Sequence, residues 1–474
     1  MTDATKTDSS LTKNKSLRPH QTLTKCECRA NSFFLKNMTQ KTRSQMTYSE
    51  TIDYLFNAAP LFQQIGGKAY KPGLQTTLTL DEHFGHPHKN FRTIHIAGTN
   101  GKGSCAHTLA AILQLHGYKV GLYTSPHLID FRERIRVNGE MIPENYVVDF
   151  VKQERPFFEP LHPSFFEITT ALAFKFFADS QVEVAVIETG LGGRLDCTNI
   201  ILPELSIITN ISLDHTQFLG HTLAEIATEK AGIIKNNTPV VVGETTPETR
   251  PVFRQAAEAA HAPIVFAEDT PQILSHSTDL LHGQTYVTKD YGTFSGALMG
   301  ACQVLNTNTL LHALTLLTPL FGLKKELILK GFREVCLLTG LRGRWQVLQE
   351  KPLVVCDAGH NSGGWEHLSR QLQELTERFG RLFVVFGMAE DKDIETVLAQ
   401  LPKQAHYFFT QASVRRACPA ERLSELGKAH GLKGETKPSV REAYDAALQA
   451  AEENDCIYVG GSCFVVADLL SRSK

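Results

Sequence analysis

From Phe91 onward the chain alternates short apolar runs with segments of helical spacing. Strands are expected over 91–97 and 119–123 with a helix over 103–116 between them, then a helix near 164–178 and strands over 182–188 and 205–210. This rhythm predicts βαβ units: a mostly parallel sheet covered by helices, with functional loops after the strand C-terminal ends. VVVGETTPETRPVFRQAAEAAHAPIVF repeats the strand–helix–strand pattern once before a less informative stretch to about 299. Composition breaks at LTGLRGRWQ, and a second βα series follows in PLVVCDAGHNSGGW, RLFVVFGMAEDKD, AHYFFTQAS and CIYVGGSCFVVADLL, enough for a smaller α/β domain. The expected organisation is a polar, disordered extension over 1–45, a central domain over 46–338 and a C-terminal domain over 339–474. The segment opened by Met46, TYSETIDYLFNAAPLFQQIG, has helical spacing at Ile52, Leu55 and Phe56. Met46 is therefore a candidate natural start, with a genuine flexible tail before it as the alternative.

A length of 474 residues at 42% hydrophobic content supports two or three folded domains. The formal charge of -2 supplies no basic field for nucleic acid or an anionic membrane. Residues 1–45 show no apolar stretch of signal-peptide or membrane-spanning length. Ten cysteines are scattered without a C-x-x-C motif, which fits a reducing cytoplasm better than a disulfide framework.

The chemistry starts at TIHIAGTNGKGS, where an apolar strand enters a glycine-rich turn ending in Lys102, Gly103 and Ser104. Gly98, Gly101 and Gly103 free the backbone so that successive N–H groups can face one anion, Lys102 adds a point charge, and the next helix presents its positive end. Ala106, Leu109, Ile112 and Leu113 form the apolar face of that helix. The strict G-x-x-x-x-G-K-[ST] pattern is not met, because Ile96 stands where it needs glycine.

Four further loops carry candidate groups. Ser125, in the YTSPH turn, could reach a metal or phosphate or simply form a loop. Glu188 ends the strand VEVAVIE, and a carboxylate at a buried strand end needs a partner, either Mg²⁺ beside phosphate or a basic side chain. Asp214-His215 follows the strand ending at Asn210, and the next helix places Lys230 on the face of Leu223, Ile226, Ala227 and Ile234, toward the protein. Gln303 and Asn306 lie three apart on one helix, able to read a base edge or to satisfy loop backbone. Arg344 and Asp357, near the domain break, could close over a nucleotide or form an interdomain salt bridge. His360 and Asn361 follow in the same loop.

From about Met46 to the C-terminus, AGTNGKGS, YTSPHL, ETGLGGRLDCTN, DHTQFLG with EKAGI, GRWQ and DAGHN resemble the folylpolyglutamate synthase and dihydrofolate synthase family of the Mur ligase superfamily. The resemblance implies a P-loop ATPase domain joined to a smaller Rossmann-like domain. It also implies ATP-dependent addition of L-glutamate to a reduced folate or dihydropteroate carboxylate through an acyl phosphate, in a cytoplasmic monomer. By the same resemblance Asn100, Gly101, Lys102, Gly103, Ser104, Asn306, Arg344 and Asp357 bind ATP, while Ser125, Glu188, His215 and a carbamylated Lys230 hold Mg²⁺, two ions in all. Ser164, Phe166, Leu195, Asp196 and Cys197 match positions that contact the pterin, with Cys197 where relatives often have alanine. Lys102, His215 and Lys230 are the expected catalytic group. A cell-wall Mur ligase or a P-loop small-molecule kinase are the alternatives. Without the resemblance, Lys230 would be read as pairing with Glu229 or Glu225 on its own helix.

Overall fold

The computed structural model describes residues 46–58 and 73–471. The expected disordered extension over 1–45 lies outside the described residues. So does the continuation past residue 58 of the first helical segment, of which Tyr48–Ala58 is helix.

The larger sheet has eight strands: β1 Arg92–Ala97, β2 Val120–Tyr123, β3 Ile135–Val137, β4 Glu140–Met141, β5 Val184–Glu188, β6 Leu205–Ile208, β7 Val240–Val242 and β8 Ile264–Phe266. Their order is β4-β3-β2-β5-β1-β6-β7-β8, antiparallel at β2-β3-β4 and parallel elsewhere. The central strands β1, β5 and β6 are buried in nearly every position because helices cover both faces, which removes the exposed alternation of a half-solvated sheet. Ile94, Ile96 and Val186 point into one core with the helix Lys102–Leu115, and Ala185 and Ile187 into the other with Phe165–Asp179. The chain leaves β1 toward β2 on one side and later returns to β6 on the other. The loop after β1 thus sits where the connections diverge, the position at which open α/β sheets bind ligands.

A three-stranded antiparallel sheet follows, β9 Ile273–Asp279, β10 Gly283–Thr288 and β11 Gly292–Gly296, in the stretch where the sequence pattern was uninformative. Its residues alternate between exposed and buried too irregularly to read as strands. The C-terminal series forms a six-stranded sheet of β12 Gln346–Glu350, β13 Leu353–Asp357, β14 Leu382–Phe386, β15 His406–Phe409, β16 Lys433–Thr436 and β17 Cys456–Gly460. Its order is β12-β13-β17-β14-β15-β16, parallel except for the β12 edge. All three sheets belong to one compact unit beginning at Tyr48.

The helix after β1 differs from its expected one-sided burial. Every residue from Ser104 to Leu113 is buried, because the helix is enclosed by the sheet, by Ala301–Phe321 and by Lys325–Thr339. Gly331 permits the closest approach: a Cβ there would lie 2.4 Å from Ile112 Cγ1 and 3.0 Å from Ile112 Cα. Gly331→Ala is expected to lower unfolding stability by about 1–3 kcal/mol through overpacking, despite the roughly 1 kcal/mol that alanine's helix propensity returns. Urea denaturation checks this; an unchanged or higher midpoint would mean that the two helices separate at no cost.

Candidate active site

Strand β1 ends at Ala97, and the loop Gly98–Gly101 turns the chain into the helix that begins at Lys102. Gly101 caps that helix at φ +84, and a Cβ on it would fall 2.1 Å from Asn306 Oδ1, so conformation and space both require glycine. The loop is pinned from three directions. Asn100 N–H donates to Asn210 Oδ1 at 2.9 Å, the Thr209 hydroxyl donates to the Asn100 carbonyl, and Thr99 N–H donates to the Asn210 carbonyl at 2.9 Å. Gln303 Nε2 donates to Ser104 Oγ at 3.3 Å, and Asn306 Nδ2 to Gln303 Oε1 at 3.0 Å. The two amides on the helix Ala301–Phe321 are thereby tied to each other and, through Gln303, to the start of the helix after the loop.

Cationic and anionic groups meet around this loop. Lys102 Nζ donates to the carbonyls of Gly98 at 3.1 Å and Thr99 at 3.2 Å and stands 4.0 Å from Glu188 Oε1. Glu188, at the end of β5, accepts from Ser125 N–H at 3.1 Å. Burial raises the Glu188 pKa, against Lys102, the Ser125 amide, Arg344 and Arg134, which lower it. A Cβ at Gly103 would sit 3.5 Å from Glu188 Oε2 and 3.9 Å from Arg344 Nη2, so Arg344 reaches the loop from the C-terminal part of the chain.

Lys230 is 4% exposed, and its Nζ donates to the Gly98 carbonyl at 2.8 Å. Burial, then the Lys102 ammonium, brings its pKa down to about 7. Neither helix-borne carboxylate is its partner. Glu229 pairs with Arg194 at 2.7 Å, and Glu225 accepts from the amides of His221 and Thr222. The hydrophobic face that carries Lys230 is what turns it inward.

Residues from the C-terminal sheet complete the site. Asp357, at the end of β13, accepts from Trp345 N–H at 2.7 Å and Gly359 N–H at 2.8 Å, and burial raises its pKa against the pull of Arg344. Asn361 exchanges two hydrogen bonds with Asn100, at 3.0 and 3.1 Å, and donates to Asp214 Oδ2 at 3.0 Å. Lys392 meets Asp214 Oδ1 at 2.6 Å. Burial alone would raise the Asp214 pKa, but Lys392, His215 and His360 outweigh it and hold the carboxyl well below its ordinary range. Burial brings His215 down to about 3 and His360 to about 4, so both imidazoles are neutral near pH 7. Lys392 was not singled out from sequence, although its D-K-D segment follows the end of β14, the same signal that marked the other loops.

Every residue expected to bind nucleotide or metal lines one cavity of about 580 Å³. Among the described residues no three His, Cys, Asp or Glu side chains converge to hold a metal unaided. The oxygen donors of Glu188 and Ser125 beside a phosphate cradle suit a hard cation such as Mg²⁺, with phosphate oxygens completing its shell. The five positions expected to contact a pterin do not line this cavity. Ser164 and Glu167 form a capping box, and Phe166 packs on Gly190, where a Cβ would lie 2.4 Å from its Cζ. Asp196 accepts from the amides of Gly190, Leu191 and Thr198 at 2.9, 2.8 and 3.0 Å, which holds the glycine loop after β5. Leu195 and Cys197 are half-buried beside it, with the Cys197 thiol pushed up by burial.

The cavity thus lies at the strand ends, between the phosphate-loop sheet and the C-terminal sheet. Residues 96–314 match the Mur ligase middle domain, and residues 343–463 match the Mur ligase glutamate ligase domain. The dihydrofolate synthase/folylpolyglutamate synthase of Bacillus subtilis is 35% identical over 426 residues, 85% of this chain and 95% of that protein. A probable bifunctional folylpolyglutamate synthase/dihydropteroate synthase of Haloferax volcanii is 34% identical over 89% of this chain, which spans only 50% of that longer protein. The crystal structure of the bifunctional folylpolyglutamate synthase/dihydrofolate synthase of Yersinia pestis, complexed with AMPPNP and Mn ion, superposes with a TM-score of 0.75 at 28% identity, covering 91% of this chain and 99% of that one. The chain belongs to the folylpolyglutamate synthase/dihydrofolate synthase family of the Mur ligase superfamily.

Two substitutions test the geometry. Lys102→Ala is expected to cut turnover about a hundredfold or more without changing the far-ultraviolet circular dichroism spectrum; near-normal turnover would remove Lys102 from the site. Arg344→Ala is expected to weaken ATP binding and turnover together, and normal values for both would leave Arg344 a purely structural link between the two sheets.

Proposed function

We propose that this protein is an ATP-dependent ligase that adds L-glutamate to the carboxylate of a reduced folate or dihydropteroate. The reading is carried by the convergence, in one cavity, of a phosphate loop, the buried carboxylate Glu188 and the buried amine of Lys230. The loop amides and Lys102 hold the triphosphate, with Arg344 and Asp357 closing over it from the C-terminal domain over 339–474. Ser125, Glu188, His215 and a carbamylated Lys230 would hold Mg²⁺, which when bound neutralises charge on the transferring phosphoryl group.

The substrate carboxylate oxygen attacks the terminal phosphorus and ADP leaves. The glutamate amine then attacks the acyl carbon of the resulting acyl phosphate, losing a proton as inorganic phosphate departs. No side-chain nucleophile is needed. The chain's own contribution is position and exclusion of water: the loop fixes the phosphates in line, and the Asn100–Asn361 and Asp214–Lys392 contacts hold the two sheets over the reacting atoms. The proposed setting is the cytoplasm, with the protein acting as a monomer. No helix of the described residues is long and apolar enough to cross a membrane.

The deciding assay follows ADP release with dihydropteroate and with a reduced folate, each with and without L-glutamate. Release that requires both substrates supports the ligase; release without glutamate would indicate a kinase, and no release a binding protein. Comparing the two acceptors shows whether the enzyme makes the first addition, extends the chain, or does both.

Lys230 carries its own test. Its neutral amine, available in quantity at a pKa of about 7, can add to carbon dioxide and become an oxygen-donor carbamate. Lys230→Ala is expected to lose most activity, and a small carboxylic acid added in trans to restore part of it. Full activity in the unrescued variant would rule the carbamate out.

A further inference from the structure

Behind the cavity, β1 carries a fully buried titratable group that none of the roles above uses. His95 stands between the core residues Ile94 and Ile96 and pairs across the sheet with Ile187, one residue behind Glu188. Burial brings its pKa down to about 3, so the imidazole is neutral and holds a single ring proton. Its Nε2 meets the Thr198 hydroxyl at 2.8 Å, and that hydroxyl donates its own proton to Asp196 Oδ1. The hydroxyl oxygen can therefore only accept from the ring. This puts the ring proton on Nε2 and leaves Nδ1 bare, in keeping with its having no hydrogen-bond partner among the described residues.

The carboxylate at the end of this chain is filled. Asp196 Oδ1 takes the amide and hydroxyl of Thr198, and Oδ2 takes the amides of Gly190 and Leu191. Those donors occupy the lone-pair positions of a carboxylate, so the direction in which Asp196 is held sets the course of the loop after β5. Gly190 and Leu191 line the cavity just past Glu188, and Phe166 closes on Gly190 from the other side. The phosphate loop is held by other groups, Asn210 and Thr209. β1 thus serves two loops by separate means. Its chain end runs into the phosphate loop, while its His95 side chain braces the wall beside Glu188, where the second substrate must bring its carboxylate.

Building on the ligase reading, we propose that His95 is a positioning residue for the acceptor substrate: through Thr198 it fixes Asp196 and the turn at 190–191, so that acceptor binding depends on its Nε2 proton and nucleotide binding does not.

Two measurements on the full chain test this: steady-state kinetics at saturating ATP and L-glutamate, with dihydropteroate and a reduced folate in turn as the varied acceptor, and isothermal titration with ADP. His95→Leu, which fills the space without an N–H, is expected to raise the acceptor KM about tenfold while the ADP Kd stays within about twofold. His95→Gln, whose amide can donate near the position of Nε2, is expected to recover most of that loss. Thr198→Val interrupts the same chain one link further on and should reproduce the KM change; it supplies the test if His95→Leu proves unfolded in a thermal melt. Combining His95→Leu with Thr198→Val should cost no more than the larger single change, because both break one chain. An unchanged acceptor KM in folded variants overturns the proposal. So does an ADP Kd weakened to the same extent, which would make His95 a support of the phosphate loop, and so does a His95→Gln variant no better than His95→Leu. These outcomes leave the ligase reading standing, whereas ADP release by the unsubstituted chain that ignores both acceptors overturns that reading and this proposal with it.

Discussion

Two ammonium groups donate to a single backbone oxygen, the carbonyl of Gly98: Lys102 at 3.1 Å and Lys230 at 2.8 Å. One carbonyl dipole cannot offset two adjacent cations in a buried pocket, and the site resolves the conflict by withdrawing charge from the more buried lysine. The rest of the site follows from that imbalance. A surplus of positive charge facing a backbone cradle is an invitation to a polyanion, and Glu188 is the counterweight that keeps the pocket from being cationic throughout. A triphosphate in the cradle meets the Lys102 ammonium, with the Glu188 carboxylate beside it to hold a cation.

The legible part of this protein was its strand ends. Short apolar runs bounded by glycine, serine and acidic residues located β1, β2, β5, β6 and β13 to within a few residues, because strands covered on both faces leave a run that no other element produces. The loops after them were then readable from the residue types they carry. What the pattern missed has a common cause. The antiparallel sheet of residues 273–296 is largely exposed on one strand, so hydrophobicity barely distinguishes it from loop. The enclosed helix Lys102–Leu115 shows one apolar face in sequence, yet small residues such as Ala110 and Ala111 let neighbours close over its other sides.

Side-chain partnerships were harder to foresee. The spacing of Gln303 and Asn306 put two amides on one face, but only the fold shows that the face looks at Ser104 and Gly101. Likewise the resemblance marks Asp196 as a pterin contact, and only the fold shows that it also shapes the turn after β5. Behind it stands His95, fully buried, whose Nε2 meets the Thr198 hydroxyl at 2.8 Å while that hydroxyl donates on to Asp196. No periodicity announces a chain of that kind, since His95 comes from β1 and its two partners from the turn at 196–198.

Asn361 caps the helix Ser362–Arg378 by accepting the Gly364 N–H at 2.9 Å, while the same amide holds Asn100 and Asp214. Both acceptor sites and both N–H groups are thereby occupied, the full valence of a carboxamide. A saturated side chain of this sort leaves evolution no conservative exchange. Aspartate would replace two donors with an anion facing Asp214, leucine would abandon all four bonds, and glutamine would carry the same group one methylene too far. Divergence at the junction of the two halves must therefore proceed around this residue, through the partners it grips.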